Sequence, residues 1–134
     1  MKTPRKRLIK NCDELWSLCI RTRDGFICQW CGKQGRDAHH IVTRGSCGQV
    51  GRWELKNGVT LCFYCHRVRK NSKSVEYTRW LDKWLKPLTY EKLYEKSAKI
   101  VIYKTYDLIN LKTKLEAKLK KLKEEHNGTT LSSL

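Results

Sequence analysis

Four cysteines in the first half of the chain have the spacing of metal ligands. They form two Cys-x-x-Cys pairs, Cys28–Cys31 and Cys62–Cys65, and thiolates in such pairs are the usual ligands of a structural zinc ion. The sequence therefore predicts a closed Zn²⁺ site made of Cys28, Cys31, Cys62 and Cys65. Two alternatives stay open, in which Cys47 replaces one ligand or a histidine completes a Cys3His site.

Three histidines and an asparagine near these cysteines could do chemistry. His39 and His40 are adjacent, Asn57 precedes the second cysteine pair, and His66 directly follows Cys65. Adjacent residues on a strand point to opposite faces. We expect one histidine of the pair to bind an ion in a groove, while its neighbour reaches the same groove from the strand end. The alternative is three surface or zinc-capping histidines.

The chain carries a large excess of positive charge. Its 134 residues include 29 Lys and Arg against 13 Asp and Glu, a formal net charge of +16. This excess predicts an anionic polymer as partner, nucleic acid first and an anionic membrane surface second. No apolar run is long enough to span a bilayer, and the basic N-terminus lacks the apolar stretch of a signal peptide. Seven cysteines, four of them paired at zinc spacing, suit a reducing cytosol better than a disulfide framework, so we expect a cytoplasmic protein.

Helices and two short strands must position these residues. Asn11 and Glu14 predict a helix start, and an apolar stripe that includes Cys12 and Cys19 continues to about Thr22. The two cysteines are expected to be small core residues of this helix.

The central segment alternates between strand and loop. Strands are predicted at residues 38–43 and 59–61, with a glycine-rich loop at 44–53 between them and a helix that begins near Cys62.

The C-terminal half is predicted to be helical. An aromatic stripe from Tyr77 to Leu85 predicts a buried helix face, and Pro87 ends that helix. One bent helix or two follow between Thr89 and about Glu125, with a lysine-rich surface and a leucine edge that packs on the Trp80–Leu85 helix or on a partner subunit. The expected segments are a basic arm (1–10), a zinc-containing core (11–72), a basic helical extension (73–125) and a flexible tail (126–134).

The central motif resembles that of the HNH, or ββα-metal, endonucleases with a treble-clef zinc site. Those proteins carry His-His or Asp-His on a first strand, then an Asn, then Leu-Cys-x-x-Cys-His. This chain supplies His39-His40, Asn57 and the run from Leu61 to His66, and the resemblance covers residues 26–70. It implies a small zinc-stapled ββα-metal core. With the helices predicted from the apolar stripes, the expected fold is α+β, with an N-terminal helix and a largely α-helical C-terminal extension.

The resemblance also implies a role for each site residue. His40 would be the general base, and His39 and His66 would bind one catalytic divalent ion, Mg²⁺ or Mn²⁺. Asn57 would brace the loop between the strands. Asp37, two residues before the pair, would add to the metal shell or orient an imidazole.

The implied activity is metal-dependent hydrolysis of DNA in a phage or a bacterium. A phosphodiester is anionic, so its hydrolysis needs a neutral base near pH 7 and cations that offset the developing charge. Arg44, Arg67, Arg69 and Lys70 are the candidate contacts to double-stranded DNA, with ordinary solvated side chains as the alternative.

The overall layout is also similar to that of the NinG/Rap phage recombination nucleases, which act on branched DNA. Their motif departs from this one, with Gly-His in place of His39-His40 and Asn in place of His66. A branched-DNA nuclease is therefore an alternative, and a non-catalytic zinc module that binds nucleic acid is another. A second copy of the chain or a phage packaging or recombination protein is a candidate partner.

Overall fold

The computed structural model describes the backbone of residues 3–132 and the side chains of residues 3–127. The elements in this part of the chain are α1 (Pro4–Arg23), β1 (Asp37–His40), α2 (Gln49–Trp53), β2 (Gly58–Leu61), α3 (Lys70–Ser72), α4 (Ser74–Leu85), α5 (Tyr90–Ser97) and α6 (Thr105–Ser132). A 3₁₀ turn at Leu55–Asn57 precedes β2, and a π-helical turn at Cys65–Arg69 leads into α3. The fold is α+β, as predicted.

The first helix begins earlier than predicted. The hydroxyl of Thr3 accepts a hydrogen bond from the backbone N–H of Lys6 at 3.2 Å, and Pro4 occupies the first turn, where its missing N–H costs nothing. The predicted start at Asn11 is therefore wrong. Residues 4–10 of the segment expected as a basic arm form the first turns of α1, and residues 1 and 2 lie outside the described part.

The two strands form an antiparallel pair in which His39 lies opposite Val59 and His40 opposite Gly58. β1 ends at His40, short of the predicted end at residue 43, because the backbone N–H groups of Ile41 and Val42 both donate to Asn57. A Cβ at Gly58 would lie 2.5 Å from Ile20 of α1. Glycine at this position therefore allows the helix to pack directly on β2.

The segment between the strands is not all loop. Residues 44–48 are irregular, but α2 occupies residues that were predicted as loop. Two of them, Gly51 and Trp53, are buried. Burial of these two positions offsets the low helix propensity of a short glycine-containing segment.

The C-terminal helix packs on the N-terminal one. Leu108, Leu115, Leu119 and Leu122 of α6 join Cys12, Trp16, Cys19 and Ile20 of α1 in one buried cluster. The predicted packing of this leucine edge on the Trp80–Leu85 helix or on a partner subunit is therefore wrong. The thiols of Cys12 and Cys19 lie 3.7 and 3.5 Å from the carbonyl oxygens of Leu108 and Leu115, so both cysteines are core residues, as predicted.

The second buried cluster joins the strands to the helices that follow them. Val59 and Leu61 of β2 pack with Leu81 and Leu85 of α4 and with Leu93 of α5. Residues 98–104 separate α5 from α6, so the segment after Thr89 contains two helices. The tail expected at residues 126–134 begins inside α6, and its last two residues, 133 and 134, lie outside the described part. None of the described helices has an apolar stretch long enough to cross a membrane.

Candidate active site and metal centre

The four cysteines predicted as zinc ligands come together from two segments, the turn before β1 and the segment after β2. Their Sγ atoms all lie within 4.8 Å of one another, and those of Cys31 and Cys62 are 3.7 Å apart. A tetrahedral zinc site with Zn–S bonds of about 2.3 Å places its sulfurs about 3.8 Å apart. The cluster could therefore hold a structural metal such as zinc. Cys47 lies outside it.

Backbone N–H groups around the cluster favour the thiolate of Cys28, whereas burial raises the pKa of the Cys31 and Cys65 thiols. Gly32 has a φ of +80°, which turns the chain after the first pair, and the N–H of Cys65 donates to the sulfur of Cys62 at 3.4 Å. Burial opposes ionisation of Cys28, but backbone N–H groups of the two cysteine turns lower the pKa of its thiol to about 7. A metal that needs deprotonated sulfur ligands fits this donor set.

Arg69 packs against the cysteine cluster. Its guanidinium carbon lies 3.9 Å from the centroid of the Trp30 ring, and its Nη1 donates to the sulfur of Cys65 at 3.9 Å. Stacking on an aromatic face and a contact to a metal ligand give this side chain a structural position. Arg69 as a DNA contact stays a prediction.

His39 and His66 lie together on one side of the sheet. Their ring centroids are 5.0 Å apart, and Nε2 of His39 lies 3.1 Å from the hydroxyl oxygen of Tyr77 in α4. Burial lowers the pKa of His39 to about 3, and electrostatic interactions with His66 and Lys70 act in the same direction. The His39 ring is therefore neutral at pH 7, the state that binds metal ions.

Asp37 faces the same side as His39 because the two are separated by one residue on β1. Its carboxylate Oδ2 lies 2.9 Å from Nδ1 of His66. An N–H at Nδ1 donating to Asp37 leaves Nε2 of His66 with its lone pair. Of the two roles expected for Asp37, the geometry fits the orientation of an imidazole. Among residues 3–127, only the four cysteines form a group of three or more close potential metal ligands.

His40 points away from His39 and packs against α1. Its ring stacks on Trp16 with the centroids 3.9 Å apart and the planes 6° from parallel. Nε2 lies 2.8 Å from the carbonyl oxygen of Arg52. Since a carbonyl only accepts, Nε2 carries the proton and Nδ1 carries the lone pair. Burial lowers the pKa of His40, although the hydrogen bond to Arg52 acts in the opposite direction, so the ring is neutral at pH 7.

Asn57 is fully buried and uses its amide group inside the protein. Its Oδ1 accepts from the N–H of Val42 at 2.7 Å, and its Nδ2 donates to the carbonyl oxygens of Val42 and Gly51 at 3.0 and 2.9 Å. These bonds connect the end of β1 to α2. Asn57 thus holds both ends of the connecting segment, and its role in orienting a catalytic base stays a prediction.

An ion pair that the sequence did not indicate fixes the partner of His40. The guanidinium of Arg52 donates twice to the carboxylate of Asp13, at 2.9 and 2.6 Å, and Trp53 Nε1 donates to the same carboxylate at 2.9 Å. Asp13 in α1 therefore anchors α2, whose backbone carbonyl contacts His40. Nothing in the local sequence relates Asp13 to a residue this far along the chain.

The remaining basic candidates lie close to the histidines or on the surface. Arg44 is near enough to His40 to lower its pKa, and Lys70 does the same for His39. A cavity of about 430 Å³ is lined by Arg44, Arg52 and four residues of the segment between them. Arg67 is exposed on the π-helical turn.

The segment that contains this site has a family match. Residues 28–72, about a third of the chain, match the family model of the HNH endonucleases. This segment is therefore similar to the HNH domain. The match supports a nuclease-type function in general and a nucleic acid as substrate. No curated protein and no solved structure matches the chain significantly, so the NinG/Rap resemblance stays a prediction.

Two residues that contact the histidines of the HNH-matched segment lie outside that segment. Trp16 in α1 precedes the matched segment, and Tyr77 in α4 follows it. Their sequence signal is an apolar stripe at helical spacing, which indicates core packing and says nothing about which side chain they contact. Helices on both sides of the matched segment thus contact its histidines.

Proposed function

We propose that this protein is a metal-dependent DNA endonuclease in which His40 is the general base and His39 and His66 bind one divalent ion. The proposal rests on a feature that the three imidazole rings have in common. Each ring has one nitrogen in a hydrogen bond to a fixed partner (Tyr77, Arg52 or Asp37), which leaves the other nitrogen for chemistry.

His40 has the properties of a base. The Arg52 carbonyl holds the proton on Nε2, and the stacked Trp16 ring holds the plane of the imidazole. Nδ1 can therefore take a proton from water as its oxygen attacks phosphorus. The P–O3′ bond breaks as the new P–O bond forms, and the leaving O3′ takes a proton from solvent water, which leaves a 3′-hydroxyl and a 5′-phosphate. General-base catalysis of this kind contributes about 10²–10⁴-fold to a rate.

His66 and His39 are the proposed ligands of the divalent ion. Asp37 orients His66, an arrangement common for metal-binding histidines. Two protein nitrogens suffice because phosphate oxygens and water complete the shell of Mg²⁺ or Mn²⁺. Such an ion would offset negative charge on the leaving oxygen.

Cations near the histidines would hold the DNA backbone. Arg44 and Lys70 lie close to His40 and His39, and Arg67 is exposed on the turn that carries His66. The net charge of +16 adds long-range attraction. Phosphate contacts of this type carry no sequence information.

The test is cleavage of supercoiled, linear and four-way-junction DNA with Mg²⁺, Mn²⁺ or a chelator. We expect cutting that needs the ion and a loss of about 10²–10⁴-fold in the His40→Ala variant. Melting temperature and DNA affinity should stay close to those of the wild type. His126→Ala, which removes an exposed histidine on α6, is the control. Cutting by His40→Ala at the wild-type rate would refute the assignment of the base.

One observation favours a second candidate, a non-catalytic zinc-containing protein that binds nucleic acid. Asp37, His39 and His66 do not form a three-ligand cluster in the described part of the chain. This candidate predicts salt-sensitive DNA binding with no cleavage under any divalent ion. Preference for the junction substrate would instead favour a branched-DNA nuclease.

A further inference from the structure

We infer that Tyr77, in the helix that follows the HNH match, is a positioning residue for the divalent-ion site. Its hydroxyl would hold His39 in the ring orientation and tautomer that an ion requires. The inference rests on the proposed function insofar as it takes His39 to be an ion ligand. It extends the site beyond the matched residues 28–72, because α4 then takes part in metal binding.

The Tyr77 side chain is held from several directions. Its ring lies edge-on to His39, with centroids 6.2 Å apart and planes at 71°, and it also contacts the rings of Trp30 and Trp80 at 5.7 and 5.9 Å. Because Trp30 and Trp80 hold the ring, the Tyr77 hydroxyl lies at a fixed point beside His39.

The tautomer of His39 follows from the requirement that an ion bind a ring nitrogen with a lone pair. If the Tyr77 hydroxyl donated to Nε2, the proton of the neutral ring would sit on Nδ1, and neither nitrogen could take an ion without rearrangement. If Nε2–H donates to the hydroxyl oxygen, Nδ1 keeps its lone pair. Metal-binding histidines usually donate their other ring N–H to a fixed acceptor. An ion bound to His39 therefore selects Tyr77 as the acceptor.

His39 and His66 then have matching arrangements. Asp37 accepts from Nδ1 of His66 at 2.9 Å, and Tyr77 accepts from Nε2 of His39 at 3.1 Å. The two acceptors come from different parts of the chain, one from β1 and one from α4. The relative position of α4 and the sheet would thus set the geometry of the pair.

The test compares wild-type, Tyr77→Phe and Tyr94→Phe proteins as full-length chains. Phenylalanine keeps the ring of Tyr77 and removes its hydroxyl, and Tyr94 on α5 is an exposed control. Mn²⁺ binding is followed by electron paramagnetic resonance without DNA, and the His39 tautomer by ¹⁵N NMR of the imidazoles. We expect Tyr77→Phe to bind Mn²⁺ about 10–100-fold more weakly and to lose the single His39 tautomer, with an unchanged melting temperature. Tyr94→Phe should match the wild type.

Each outcome decides one question. Unchanged Mn²⁺ affinity and unchanged His39 ¹⁵N shifts in Tyr77→Phe would overturn the positioning role. Absence of Mn²⁺ binding by the wild type, or binding that survives His66→Ala, would overturn it as well. Mn²⁺ binding that depends on Tyr77 and His66, in a wild-type protein that cuts no DNA, would leave the inference standing and refute the proposed nuclease.

Discussion

Three histidines of this chain, His39, His40 and His66, differ in the group that forms a hydrogen bond with one nitrogen of each ring. His39 meets a phenol, His40 a backbone carbonyl and His66 a carboxylate. A carbonyl or carboxylate can only accept, so it fixes which ring nitrogen keeps the proton. A hydroxyl can donate or accept, so the His39 tautomer depends on what binds the ring. The chemistry available to each histidine is therefore set by its neighbour.

At the same scale, Asn57 shows how one buried amide holds a loop. We predict that Asn57→Ala lowers the free energy of unfolding by on the order of 3 kcal/mol, because it leaves an N–H and two carbonyl groups without partners inside the protein. Urea unfolding measures the loss. Asn71→Ala is the control, since Asn71 is exposed and makes one long hydrogen bond of 3.4 Å. A loss below about 0.5 kcal/mol in Asn57→Ala would contradict the bracing role.

At the scale of elements, the cysteine cluster joins the turn before β1 to the segment after β2. Structural zinc contributes binding free energy of about 10–16 kcal/mol in small zinc peptides, while whole domains are stable by about 5–15 kcal/mol. If the cluster holds zinc, the part of the fold that carries His66 would depend on the metal, since His66 follows Cys65 directly.

We predict that Cys62→Ser lowers the bound zinc from one equivalent to none and abolishes DNA cutting. Metal content by mass spectrometry, melting by circular dichroism and cleavage are the measurements. Cys47→Ser, which changes a thiol outside the cluster, should keep its zinc and its activity. If Cys62→Ser kept a full equivalent of zinc, the four-cysteine assignment would be wrong.

Two helices outside the HNH match contribute to its site. α1 supplies Trp16 to the face of His40, and α4 supplies Tyr77 to the edge of His39. The indole N–H of Trp16 also donates to the carbonyl of Glu54 at 2.9 Å, which fixes its own orientation. Each of these helices thus sets part of the environment of one histidine.

At the scale of the whole molecule, the net charge of +16 and the lysines of α6 dominate. α6 buries its leucines against α1, so its other side faces outward with lysines that include Lys114, Lys120 and Lys121. Each phosphate contact contributes about 0.9 to the slope of log affinity against log salt concentration. α6 is therefore a candidate for contact with DNA beyond the active site.

We predict that changing Lys114, Lys120 and Lys121 together to Gln reduces that slope by up to about 3. Fluorescence anisotropy at several salt concentrations measures it. Changing the exposed Lys83, Lys86 and Lys92 to Gln removes the same charge elsewhere. Equal effects of the two triple variants would indicate long-range attraction alone and would exclude a specific contact by α6.

Sequence reasoning predicted the cluster of four cysteines that could hold a metal, both strands and the aromatic helix face, because these features depend on residues close together in the chain. It failed at the ends of elements that distant contacts set. β1 stops at His40 because Asn57 takes the next two N–H groups. α2 forms in a glycine-rich stretch where Gly51 and Trp53 are buried.

The sequence by itself determined which residue types are available and where their local spacing repeats. Cysteine pairs, adjacent histidines and leucines at helical intervals are visible in the printed chain. Only the tertiary structure decided that α6 covers α1 and that Trp16, Tyr77 and the Arg52 carbonyl each meet a histidine. Local spacing fixes the face on which a side chain lies. Which other side chain it contacts depends on how the helices and strands pack, and no local sequence pattern determines that packing.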